Sequence, residues 1–222
     1  MRKRGRRQGI AGAHVGAAAV ALLGAALFPM MALAAPCLNE MMGDPASDWD
    51  GDGAYNYRND EWVEVYNPGP GHVDLSEYAL SDNEGLWTYR WPAGADLAVG
   101  EAAVVYGSQS LLWQQSAGES QYGFNMSNDG DTVMLWQVAG GDTILVDMHA
   151  FTTQEAEDDR TGGRDPDGIG AWEIFDGLNP YGGTTPPLGN GLDPTPGLPN
   201  SGTPPPVPVI ESSWGEVKHL FE

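Results

Sequence analysis

The chain has 222 residues, with 31 Asp+Glu against 10 Lys+Arg, a formal net charge of −21, 41% hydrophobic residues and one cysteine. Such acidity excludes nucleic-acid backbones and anionic membrane surfaces as partners, since both require a basic patch. One cysteine excludes an intrachain disulfide, whereas the apolar content suffices for a core and separates the chain from acidic disordered tails.

Residues 2–7 carry five cations, and an Ala/Gly/Leu-rich run follows to about residue 31. Ala32-Leu33-Ala34 then places small residues at both positions of an A-x-A cleavage site. Residues 1–34 therefore read as a secretory signal peptide cut after Ala34, and the protein as secreted or held at the cell surface. The competing reading, a membrane anchor, is disfavoured by the small-residue composition; no membrane span is expected after cleavage. Arg6-Arg7 is a weak twin-arginine match because QGIAG follows. Pro36 argues against lipid on Cys37, which reads as a free thiol near a flexible terminus. Cleavage removes five of the ten cations and none of the 31 acids, leaving a net charge of −26 and Lys218 as the only lysine.

Next comes an acidic, glycine-broken loop. Asp48, Asp50 and Asp52 alternate and Gly53 follows, an arrangement in which a turning backbone aims carboxylates at one point. Calcium takes six to eight oxygens, and Asn56, Asp60 or Glu61 could be recruited. An EF-hand would need Glu where Asn59 stands, so this is not one. The alternative is a solvated acidic turn, since Asp and Gly are common turn residues. The strand Trp62-Val63-Glu64-Val65-Tyr66 follows and stops at Asn67-Pro68-Gly69-Pro70-Gly71. Residues 73–80, 86–91 and 102–106 repeat the strand-then-turn pattern. In the second of these, Trp87, Tyr89 and Trp91 alternate and should share one face, either as core or as a platform for sugar rings. Residues 111–115 could form one helical turn. Residues 132–136 and 143–147 read as a strand pair whose glycine-bearing link suits a hairpin.

Asn128-Asp129-Gly130-Asp131, Asp158-Asp159 and Asp165-Pro166-Asp167-Gly168 read as turns. Residues 155–200 are dominated by Gly and Pro, so long loops draped over the sheets are expected, with Trp172, Ile174 and Phe175 as a last strand or anchor. SGTPPPVPV reads as an extended linker, residues 201–210. In residues 211–222, Ser213 and Glu216 have capping-box spacing, and Trp214, Val217, Leu220 and Phe221 share a helical face. So short a helix folds only when docked, either on its own domain or on a partner.

Several blocks resemble the lamin tail domain in its bacterial secreted form. They are Leu38-Asn39-Glu40, Glu61-Trp62-Val63-Glu64-Val65-Tyr66-Asn67, and Val73-Asp74-Leu75-Ser76-Glu77-Tyr78-Ala79-Leu80. The block from Pro92 to Glu101, that from Met126 to Leu135, Val146-Asp147 and the closing Thr195-Pro196-Gly197-Leu198-Pro199-Asn200 follow in order. Glu77 and Tyr78 replace the family's Gly and Trp. The resemblance implies an all-β, immunoglobulin-like sandwich over residues 35–200, used for binding or display. The mature chain has only His72, His149 and His219, and no HExxH, GxSxG, Walker or CxxC motif. His149 reads as a strand-end residue. The expectation is thus a non-catalytic module for adhesion or for binding a protein or polysaccharide partner, with calcium as a stabiliser. The alternative is a calcium-dependent secreted hydrolase or a carbohydrate-binding module.

Overall fold

A computed structural model describes residues 35–82, 87–119, 121–178 and 188–200. The signal segment, the linker and the C-terminal tail lie outside the described residues. Among those described, no helix is long and apolar enough to cross a membrane.

The fold is an all-β immunoglobulin-like sandwich. One sheet has the order β11-β10-β1-β2-β7 and the other β5-β4-β8-β9; β3 and β6 form a separate two-stranded pair. All pairings are antiparallel. The strands are β1 (Cys37–Met42), β2 (Trp62–Tyr66), β3 (Val73–Asp74), β4 (Tyr78–Ser81), β5 (Trp87–Arg90), β6 (Asp96–Leu97), β7 (Ala102–Tyr106), β8 (Gly130–Ala139), β9 (Asp142–Thr152), β10 (Thr161–Asp165) and β11 (Ala171–Phe175).

The core lies between the sheets. Leu38, Met41, Val63, Val65 and Val105 from one side meet Tyr78, Leu80, Val133, Leu135 and Phe151 from the other. Leu38 and Met41 are three apart, a spacing that an unbroken strand would send to opposite faces. A register shift between Leu38 and Glu40 returns both to the core and leaves Asn39 and Glu40 free for polar contacts. Every residue of β2 is buried because both of its faces are covered. Val63 and Val65 enter the core, Glu64 meets the closing segment, and Trp62 packs 6.2 Å from Trp49.

The β8–β9 hairpin forms as expected, with Gly140 and Gly141 at φ 62° and 93°, the positive values a two-residue turn demands. Residues 73–80 divide into β3, a 3-10 turn at Leu75–Glu77, and β4. Three other elements depart from the sequence expectation. A full helix, α1 (Gly107–Ala117), replaces the single turn. Its buried residues are Gly107, Ser110 and Gln114, a small and polar stripe with no apolar period to detect. Gln114 ties down the next loop, accepting from Tyr122 and Gly123 N–H at 2.9 and 3.0 Å and donating to the Gly123 carbonyl at 2.7 Å. Part of the region expected as draped loops is β10, Thr-Gly-Gly-Arg-Asp, which pairs with β1 and carries β11 beside it. Its glycines are dictated by crowding, since a Cβ at Gly163 would collide with the Phe175 ring. Finally, Cys37 is not at a loose end. It opens β1, and burial pushes its thiol up to about 12, so it is inert rather than reactive.

Candidate cation site and a buried acid cluster

The acidic loop between β1 and β2 is held at both ends. Asp159 accepts from Ala46 N–H (2.8 Å), Ser47 Oγ (2.7 Å) and Trp49 Nε1 (2.7 Å), fixing its entry. Asp60 is fully buried and accepts from the N–H groups of Trp49 (2.7 Å), Asp50 (3.0 Å) and Asn56 (2.6 Å), fixing its exit. Asp48 closes the turn by accepting from Gly51 and Gly53 N–H, both at 2.9 Å. The result brings one carboxylate oxygen each from Asp48, Asp50 and Asp60 within 4.8 Å of one another. Asp52 and Asn56 are outside that set. The Asp52 carboxylate accepts from Ala54 N–H, and the Asn56 side-chain oxygen from Arg58 and Asn59 N–H. Glu61 points elsewhere: burial raises its carboxyl well above the usual range, opposed by hydrogen bonds from the Asn125 and Met126 backbone. Three convergent carboxylates are a hard-oxygen donor set of the kind a divalent cation takes.

The aromatic residues of β5 divide. The register shifts between Leu80 and Ser81, so Leu80 opposes Tyr89 but Ser81 opposes Trp87. The extra residue breaks the alternation. Tyr89 and Trp91 face inward, edge-to-face at 5.3 Å and packed with the core, while Trp87 meets Trp136 at 6.2 Å. The exposed aromatics lie instead beside the acidic loop. Tyr57 and Tyr122 are 58% and 56% exposed, and the Arg58 guanidinium carbon sits 5.4 Å and 5.9 Å from their ring centres. The sequence offered one sign of this surface, Tyr55-Asn56-Tyr57-Arg58 in an otherwise acidic loop; Tyr122 is brought there only by the fold.

A second group of acids was not anticipated. Glu40 and Glu64, on the outer face of β1 and β2, and Asp167, after β10, are all buried. The closing segment lies over them. Thr195 donates to Glu40 through its N–H (3.2 Å) and hydroxyl (3.0 Å), and Gly197 N–H donates to Glu64 (2.6 Å). Asn200 N–H donates to Asp167 (3.1 Å), and Asn39 Nδ2 bridges Glu64 and Asp167 at 2.7 and 2.8 Å. Burial pushes Glu40 up to about 8 and Glu64 up to about 7, each against hydrogen bonds that favour ionisation. Their sequence blocks matched the resemblance, yet their joint clasp on residues 195–200 needs contacts more than 100 positions apart.

His149 lies in β9 with Nε2 2.6 Å from Glu155 Oε1, its ring stacked on Trp172 at 3.6 Å. The pair ties β9 to β11.

The Lamin Tail Domain family model matches residues 30–153, more than half of the chain. The chain belongs to the lamin tail domain family. That family consists of immunoglobulin-like, non-catalytic domains. No curated protein and no solved structure matched the chain. In this lamin tail domain, the sheet containing β1 and β2 is completed by β10, β11 and the closing segment, all beyond the matched residues.

Proposed function

We propose that this lamin tail domain is an exported, non-catalytic module that binds a protein or polysaccharide outside the cytoplasm, with calcium bracing the acidic loop. One observation carries the reading: the exposed Tyr57 and Tyr122 rings, with half-buried Arg58 between them, at the loop that carries the Asp48, Asp50 and Asp60 carboxylates. Tyrosine and arginine supply large contact area with polar tips, the composition that dominates binding energy at interfaces and stacks on sugar rings. Calcium held by Asp48, Asp50 and Asp60 would cancel their repulsion and fix the loop from which Tyr57 and Arg58 project. Export is supported by the cationic, apolar and A-x-A order of residues 1–34.

The reading is tested on protein recovered from the producing cell. Mass spectrometry should find a chain beginning at Ala35 outside the cytoplasm; an intact residue 1–34 segment in the cytoplasm would refute export. On polysaccharide and protein arrays, Tyr57→Ala and Tyr122→Ala should lose the retention of the wild type while melting normally. Retention unaffected by both substitutions, or turnover in a phosphodiesterase and glycosidase screen, would overturn the binding-module assignment.

A further inference from the structure

The two outer faces of the sandwich are treated differently. The face carrying Glu40, Glu64 and Trp62 is covered by residues 195–200 and by Trp49. The register places another set of side chains on the outer face of the β5-β4-β8-β9 sheet. Ala79 opposes Trp136, which opposes Leu145; Ser81 opposes Met134, which opposes Met148, and Trp87 joins beside Ser81. Leu145 and Met148 are 41% and 48% exposed, and Trp87, Met134 and Trp136 are half-buried. Trp136 Nε1 donates to Ser81 Oγ at 2.8 Å, which anchors its ring beside β4. A contiguous Trp/Met/Leu surface of this kind is a docking face.

We propose that the chain's own C-terminal segment, residues 211–222, covers this face, seating Trp214, Val217, Leu220 and Phe221 against Trp87, Trp136, Leu145 and Met148. Chain length and the point of departure both favour it. The described chain ends at Asn200, whose Nδ2 donates to the Arg164 carbonyl at 3.0 Å, and Arg164 Nη2 lies 3.2 Å from Asp147 of β9. One residue therefore separates the departing chain from the edge strand of the open sheet. The ten residues 201–210, in a proline-rich extended form at ~3.1 Å each, reach ~30 Å. That is enough to round an edge strand and cross four strands spaced ~4.8 Å apart. Charge also agrees. Arg90 lies across from Ala79 on the same face and, among the described residues, has no carboxylate in an ion pair, whereas the segment carries Glu211, Glu216 and Glu222.

The test compares the chain of residues 35–222 with the same chain ending at Asn200, using methyl NMR of Met134 and Met148 and amide exchange along Thr143–Met148. The full chain should protect these amides at least tenfold and shift both methyl signals, independently of protein concentration. Trp214→Ala and Leu145→Glu in the full chain should each abolish the difference, and a peptide of residues 211–222 added to the shorter chain should restore it saturably at 1:1. Identical spectra and exchange in the two chains would overturn the proposal. So would protection that appears only on concentration-dependent dimerisation, which would assign the face to a second copy.

Discussion

Replacing Glu40 by Gln should change how stability depends on pH, because of where that carboxyl sits. Its side chain is fully buried, accepts from the Thr161 hydroxyl at 2.6 Å and from Thr195, and lies near Glu64 with no cationic partner among the described residues. Burial is the first cause that pushes it up to about 8 from 4.5, and the Glu64 charge adds to it. A raised carboxyl keeps its proton in the folded state when the unfolded chain has lost it. The stability it confers is therefore complete below about pH 4.5 and drains away as pH rises to about 8. At 1.36 kcal/mol per pH unit, the loss is on the order of 5 kcal/mol, comparable to the whole stability of many domains. Glu64, raised to about 7, adds roughly 3 kcal/mol over a narrower window. Gln is neutral throughout. Glu40→Gln should be about 1–2 kcal/mol less stable than wild type at pH 5, where one accepting oxygen becomes a donor facing Thr195 or Thr161. Above pH 8 the order should reverse, by several kcal/mol. Urea titrations from pH 5 to 9 at fixed calcium measure this directly. The surface acids contribute equally to both chains, so the difference reports Glu40 together with its coupling to Glu64. Parallel stability curves for the two proteins would refute the reasoning.

Calcium at a hundred times its dissociation constant should stabilise the domain by about 2.7 kcal/mol and raise Tm by ~5–10 °C. Chelation should reverse that gain and Asp60→Asn should abolish the response in calorimetry. Gln114→Ala should cost about 2–3 kcal/mol in urea, because Tyr122 and Gly123 N–H lose their acceptor, whereas Leu112→Ala, 65% exposed on the same helix, should stay within about 0.5 kcal/mol. Trp91→Ala should cost about 3–5 kcal/mol as a core truncation. Trp87→Ala, which loses one edge contact to Trp136, should cost well under half of that on the same denaturation curve.

Local pattern and physical context carried different parts of this fold. The strand at Ala102–Tyr106, the Gly140-Gly141 hairpin and β2 were legible because alternation and turn chemistry are local signals. Helix α1 was not, because its buried side is Gly107, Ser110 and Gln114, chosen for close approach and hydrogen bonding rather than for hydrophobicity. A Cβ on Gly107 would drive into the Arg58 carbonyl. Strand β10 escaped for the same reason: its glycines read as loop, yet they make room for Phe175 and Glu155. The alternation of Trp87, Tyr89 and Trp91 was real, but a register shift invisible in one strand's sequence sent Trp87 away from the other two. In the acidic loop, Asp48 and Asp50 could be proposed from spacing. Spacing does not separate Asp60 from Asn56, because its role comes from burial and three backbone donors.

The acids of this chain divide by what surrounds them, and the division explains how so acidic a protein holds a core. Asp48 and Asp50 face solvent or lie near it, where charge is tolerated and a cation has access. Glu40 and Glu64 are enclosed, and burial drives their carboxyls toward the neutral form. Enclosure depends on Thr195, Gly197 and Asn200, which supply four of the donors the cluster needs. A carboxyl at these positions therefore makes sense only if the chain returns to cover it. The closing segment is thus as much a part of the sandwich as any strand. A chain cut at residue 153, where the family match ends, would leave β1 without β10, Glu40 without Thr161 and Thr195, and Glu64 with Asn39 but without Gly197.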